Sequence, residues 1–246
     1  MDNPAKSPIS PSKRNKRRFG APIPLTRIQK LIGERMLKSK QTKPCFYIES
    51  KADVTELMGL RPKLKKSLGI KITTNVFYIR ALATAVKKYP LTVGKFDGGV
   101  PGDNIRIADA INIGFAVDVP QGLVVPVIKD AEKKTLAEIA HLEKELTEKA
   151  RSNKLTLEEM EGETIALSNL GAYGVDSFFG IVPPPTSTIL AVGSVIKEAV
   201  PEEGKATARK MVSLTLAVDR RIIDEVYAAK FLNFIKEQLQ SPQQLI

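Results

Sequence analysis

The sequence holds one cysteine, one histidine and no tryptophan in 246 residues. A single cysteine excludes an internal disulfide and points to a reducing setting: cytoplasmic, or the mitochondrial matrix if the source is eukaryotic. One Cys and one His cannot build a zinc site of the common Cys/His type. Long apolar runs are also missing. None reaches the roughly 18 residues a membrane-spanning helix needs, so no membrane span is predicted. The opening MDNPAKSPIS has no apolar h-region and is not read as a secretory signal. A P-loop, a Rossmann fingerprint and internal repeats are absent as well.

Acidic residues are the minority charge: 27 against 38 Lys and Arg, for a net +11. Six cations against Asp2 give residues 1–18 a net +5, together with three Pro, three Ser and no aromatic residue. Such a stretch cannot bury enough apolar surface to offset the entropy of ordering. It predicts a disordered basic tail over 1–20, either a solubilising linker or a contact for an acidic partner, nucleic acid or anionic lipid. Residues 21–246 are predicted to form one domain, since 43% hydrophobic content supports one sizeable core.

The spacing predicts a helix over 25–40, a strand around Phe46–Val54, and a helix begun by Thr55 and ended by Gly69. Thr74–Lys88 is apolar on most sides and predicts a buried helix. Residues 105–129 read as strands, with a turn at Pro120-Gln121-Gly122. Thr135–Arg151 predicts an amphipathic helix on a stripe of Leu136, Ile139, Leu142, Leu146 and Ala150. A short acidic helix at 157–161 and a strand over 164–170 follow. The Pro183-Pro184-Pro185 run is a rigid connector. Strands are predicted at 187–196 and 212–218. The last helix, Glu225–Gln240, is capped by Asp224. This mixture predicts an α/β, two-layer fold: a mixed sheet with flanking helices. The apolar run 111–128 and the C-terminal Leu245-Ile246 are expected to form contacts between copies.

Several long stretches resemble one family. IQKLIGERMLKSKQTKPCFYI, INIGFAVDVPQGLVVPVIKDAEKKTLAEIA, ETIALSNLGAYGVDSFFGIVPPPTSTILAVG, LAVDRRIIDEVYAAKFL and SPQQLI are similar, in order, to the catalytic domain of dihydrolipoyl acyltransferases. These are the E2 components of 2-oxo-acid dehydrogenase complexes. The resemblance runs from about Ile23 to Ile246. It implies a chloramphenicol-acetyltransferase-like fold and homotrimers with each active site in a channel between two subunits. It also implies a probable higher-order shell. Coenzyme A and dihydrolipoamide would be the substrates, with no covalently bound cofactor. Other dehydrogenase-complex subunits or a complete E2 would be partners. A lipoyl domain and a peripheral-subunit-binding domain are expected to be lacking.

One motif departs from the family. Where the family carries Asp-His-Arg-x-x-Asp-Gly, this chain reads Asp219-Arg220-Arg221-Ile222-Ile223-Asp224-Glu225. The family His is the catalytic base. Arg220 cannot replace it, because a guanidinium stays protonated. At most it would favour a thiolate electrostatically. Otherwise it fills the old pocket and pairs with Asp224 or with a carboxylate of a neighbouring subunit. Ser168 matches the family serine that binds the tetrahedral oxyanion; it also reads as a strand serine satisfied by backbone. Arg221 and Asp224 match residues that orient the His loop through ion pairing, and Asp224 has a capping role besides. Glu225 suits a helix N-terminus, and its bulk and charge would crowd an incoming thiol. Cys45 stands at the His of a family Pro-His-Phe-Tyr run and is expected to be buried and inert. His141, off its helix's apolar stripe, is expected at the surface. Three functions compete: a non-catalytic core subunit, an active acyltransferase of altered mechanism, and a binding module acting through the basic tail.

Overall fold

The computed structural model describes residues 20, 22–98, 103–119, 122–202 and 204–246. The expected basic tail lies outside the described residues, apart from Gly20, and so do Pro120 and Gln121 of the expected turn.

Among the described residues, five helices and ten strands follow in chain order. They are α1 (Arg27–Thr42), β1 (Cys45–Asp53), α2 (Thr55–Leu68), α3 (Thr74–Lys88), β2 (Gly94–Asp97), β3 (Asn104–Ile107), β4 (Ile113–Phe115), β5 (Val117–Val119), β6 (Gly122–Val124), β7 (Val127–Ile128), α4 (Leu136–Arg151), β8 (Ile165–Asn169), β9 (Thr188–Glu202), β10 (Lys205–Asp219) and α5 (Glu225–Gln240). Capping sets the starts. Thr26 and Gln29 form a capping box, so α1 begins two residues later than its apolar spacing suggests. Thr135 and Glu138 do the same for α4. Gly69, at φ 69°, ends α2 in the left-handed conformation that glycine adopts without steric cost. Thr55 is the first residue of α2 and not its cap; Val54 holds the cap position. The acidic stretch 157–161 makes only one 3₁₀ turn, Glu158–Met160.

Six strands form one mixed sheet in the order β1-β10-β9-β8-β4-β7. The pairs β1–β10, β10–β9 and β4–β7 are antiparallel; β9–β8 and β8–β4 are parallel. β9 and β10 run far beyond the predicted apolar segments. Their outer halves are charged and pair mainly with each other, so hydrophobic alternation marks only the inner halves.

One sheet face carries Leu190, Val192, Leu214, Leu216 and Val218 into the main core, against Phe77, Leu82, Phe231 and Ile235 of α3 and α5. The other face carries Ala166, Ile189 and Ala217, packed with Val182 and partly buried Cys45. The segment 171–187 covers part of this second face. Prolines have no N–H, so their neighbours' carbonyls need donors from elsewhere. Arg35 and Ser39 of α1 and Lys43 at its C-cap supply them. Arg35 donates to the Pro184 carbonyl at 2.9 Å, Ser39 to Val182, and Lys43 to Pro183 and Thr186. The same segment passes so close to β9 that a Cβ at Gly193 would lie 1.8 Å from the Asp176 carbonyl oxygen.

The expectation that 111–128 and Leu245 serve contacts between copies is corrected here. Ile113, Phe115, Val117, Val119, Val127 and Ile128 are buried within the chain, and Leu245 is fully buried beneath α3 and α5. Leu123 and Ile246 remain exposed. Among the described residues no helix is long and apolar enough to cross a membrane.

Candidate functional site

The turn between β10 and α5 carries the altered motif. Its backbone is closed by Ile222 and Ile223, whose N–H groups donate to the Asp219 carbonyl at 3.0 and 3.2 Å. Both isoleucines are buried, which pins the turn to the core and turns residues 220 and 221 outward.

Arg221 folds back on Asp219. Its Nε lies 3.0 Å from Oδ1 and its Nη2 2.6 Å from Oδ2, a two-pronged charge-assisted pair. The Asp219 carboxylate also accepts the Arg221 N–H at 3.1 Å and is almost wholly buried. The guanidinium sits 4.5 Å from the Phe96 ring centre, which ties the β2–β3 hairpin to the turn. Asp224 caps α5, accepting the Tyr227 N–H at 2.7 Å. The expected ion pairing of Arg221 therefore runs to Asp219, and Asp224 acts as the predicted N-cap.

The expected pairing of Arg220 with Asp224 within the chain is corrected: Arg220 has Glu225 as its partner. Its Nε donates to Glu225 Oε1 at 2.8 Å, and its N–H to the Pro44 carbonyl at 3.1 Å. Glu225 is held below the usual carboxylate range, first by its own N–H at the helix start and then by Arg220. Its negative charge is thus answered within the turn.

Ser168 lies half-buried in β8, opposite Ala191 of β9, which in turn faces Thr215 of β10. Alternation places it on the face of Ala166, beneath the segment 171–187. Arg220 lies two strands across and five residues beyond Thr215, just past the end of β10. At about 4.8 Å per strand and 3.3 Å per residue the two are roughly 15–20 Å apart. The chain therefore brings Arg220, Arg221 and Asp224 into one turn but leaves Ser168 apart from them.

A cleft of about 740 Å³ opens beside the end of β8. Asn75 and Tyr78 of α3, Glu143 and Arg151 of α4, and Asn169 and Tyr173 near β8 are among its walls. Sequence reasoning missed Glu143, which is 8% exposed. Burial pushes its carboxyl above the usual range, against the pull of hydrogen bonds from Thr73 and Asn75. The signal was its helical phase: Leu136, Ile139, Glu143, Leu146 and Ala150 line the buried stripe, with Leu142 beside it only half-buried. Asp219 was legible as part of the motif but had no assigned role.

Cys45 is half-buried and not fully buried as expected. Burial, and then the Asp219 charge, raise its thiol pKa. Lys43 next to it is lowered by burial. His141 is exposed, as expected.

The model of the 2-oxoacid dehydrogenases acyltransferase catalytic domain matches residues 20–246. The acetyltransferase component of the Rickettsia felis pyruvate dehydrogenase complex is 36% identical over 224 residues, 89% of this chain and 53% of its own. The chain thus spans about half the length of the curated relatives it matches. Two solved structures each align over 97% of this chain and 99% of theirs, at 31% identity and a TM-score of 0.86. One is the cubic core of the pyruvate dehydrogenase multienzyme complex. The other is the Azotobacter vinelandii dihydrolipoamide acetyltransferase, whose catalytic mechanism has been probed at a serine, a histidine 52 residues later and an asparagine four residues after that. Ser168, Arg220 and Asp224 have the same spacing. A chloramphenicol acetyltransferase, 16% identical with a TM-score of 0.50, shares the fold alone. The chain belongs to the catalytic-domain family of the 2-oxoacid dehydrogenase acyltransferases.

Proposed function

We propose that this chain is an E2-type core subunit that forms trimers and, from them, a larger shell, and that its acyl transfer between dihydrolipoamide and coenzyme A is lost or strongly impaired. The observation that carries this reading is the Arg220–Glu225 pair. The position that needs a neutral proton acceptor holds a permanent cation, already engaged by a carboxylate from the next helix. General-base assistance is typically worth about 10²–10⁴-fold in rate, and Arg220 supplies none of it.

The separation of Ser168 from the turn supports assembly. One chain does not form a complete site, so a site would need Ser168 of one copy to meet the 219–225 turn of another. The match to the cubic core supports the same reading. Partners would be further copies of this chain and other dehydrogenase-complex subunits, a complete E2 among them. No cofactor is bound covalently in this reading.

Two measurements test it. Native mass spectrometry at micromolar concentration is expected to show trimers or multiples of three; a monomer overturns the assembly part. A thiol-release assay with acetyl-coenzyme A and dihydrolipoamide is expected to show little or no turnover. A rate of roughly 1–10³ per second, ordinary for an enzyme, overturns the loss of activity and makes Arg220 a working residue.

A further inference from the structure

We infer that Glu143 is the positioning residue for the turn that follows Ser168. The inference starts from hydrogen-bond direction. The Gly171 N–H donates to Asn169 Oδ1 at 2.8 Å. A backbone N–H can only donate, so the oxygen of that amide must face it. The Asn169 Nδ2 then faces Asn75 and donates to its Oδ1 at 2.7 Å. That leaves the Asn75 amide hydrogens for Glu143, which shares the cleft wall with Asn75 and Thr73 and whose carboxylate form both of them favour. A donor-only group thus stands at one end of the chain and an acceptor at the other. Both amides between them have a single orientation that satisfies every link.

The placement of Glu143 fits this role. It occupies the buried stripe of α4, where an apolar residue would complete the packing, and it is 8% exposed. Its carboxylate, Asn75, Asn169 and Gly171 all line the same cleft. An apolar residue at 143 leaves the Asn75 donor without an acceptor. A flipped Asn75 would then set its Nδ2 against the Asn169 Nδ2, two donors face to face, and the link to Gly171 would loosen. Ser168 immediately precedes Asn169, so Glu143 acts on the proposed oxyanion donor through the turn. The inference leans on the proposed function only in naming Ser168 as part of a site. The hydrogen-bond chain and its test stand whether or not acyl transfer survives.

Hydrogen–deuterium exchange of the full chain in its native assembly reads the Gly171 N–H directly. In Glu143→Leu, exchange across 169–174 is expected to rise by about tenfold, the scale of one lost hydrogen bond, with β1 unchanged. Asn75→Ala is expected to do the same, and the double variant to exchange no faster than either single one, because both cut one chain. Glu143→Gln keeps an acceptor oxygen and is expected to keep wild-type protection. Wild-type protection in Glu143→Leu, or equal loss in Glu143→Gln, overturns the inference. If Glu143→Leu does not fold, Asn75→Ala carries the test, and wild-type protection there overturns it as well.

Discussion

Arg220 and Glu225 are bound to each other, Nε to Oε1 at 2.8 Å. These are the two residues at which the turn departs from the motif that the sequence resembles, so the two departures form one interaction. Both side chains are about half exposed, and exposed ion pairs contribute little to stability. The pair therefore has no large role in holding the fold. Its consequence is electrostatic: the guanidinium and the carboxylate at the helix start balance each other's charge within the turn.

A paired restoration should recover chemistry where a single one does not. Arg220→His alone leaves Glu225 beside the new imidazole, where a carboxylate favours the charged, non-basic form. Arg220→His with Glu225→Gly should give measurable transfer from acetyl-coenzyme A to dihydrolipoamide. Adding Ser168→Ala should lower that rate by about 10²-fold, the usual effect of losing an oxyanion donor. An equally active triple variant would remove Ser168 from the site.

Asp219 should matter to folding more than to chemistry. Its buried carboxylate accepts both the Arg221 side chain and the Arg221 N–H. Asp219→Ala leaves these donors without their partner and should cost about 1–3 kcal/mol. Urea unfolding measures this, and a change within about 0.5 kcal/mol, as for an ordinary surface position, would contradict the assignment.

Glu143 should make stability fall as pH rises. Burial raises its folded-state pKa above the unfolded value. Between those two values the folded state holds more protons than the unfolded one, so raising pH weakens folding. Glu143→Gln removes that dependence. Its Tm should exceed that of the wild type near neutral pH, and the gap should close below the ordinary carboxylate range. A gap independent of pH would show that Glu143 does not titrate between the two states.

The two C-terminal residues should separate folding from assembly. Leu245 is fully buried within the chain, so Leu245→Ala should cost about 2–5 kcal/mol of unfolding free energy. Ile246 is 55% exposed. Ile246→Asp should leave the Tm of the subunit nearly unchanged while reducing a large particle to trimers, read by native mass spectrometry. An intact large particle in Ile246→Asp would move the contact elsewhere.

The sequence by itself determined most of the elements and the family. α3 and α5 begin and end where apolar periodicity and the Asp224 cap predict, because local spacing and capping decide those boundaries. The collinear stretches from Ile23 onward identified the fold, and the motif set a guanidinium where the resemblance implies an imidazole. Pairing across the chain was not legible. Arg220 had three acidic neighbours within five residues, and only the shape of the closed turn selected Glu225 for it and Asp219 for Arg221. The burial of Leu245 depends on α3 and α5 meeting over it, a contact between segments far apart in sequence. Glu143 lay in phase with a buried stripe. Its acceptable burial there depended on Thr73 and Asn75, which reach it only when α3 packs on α4. Local propensity sets which elements form; which polar groups satisfy one another is decided when those elements exclude water together.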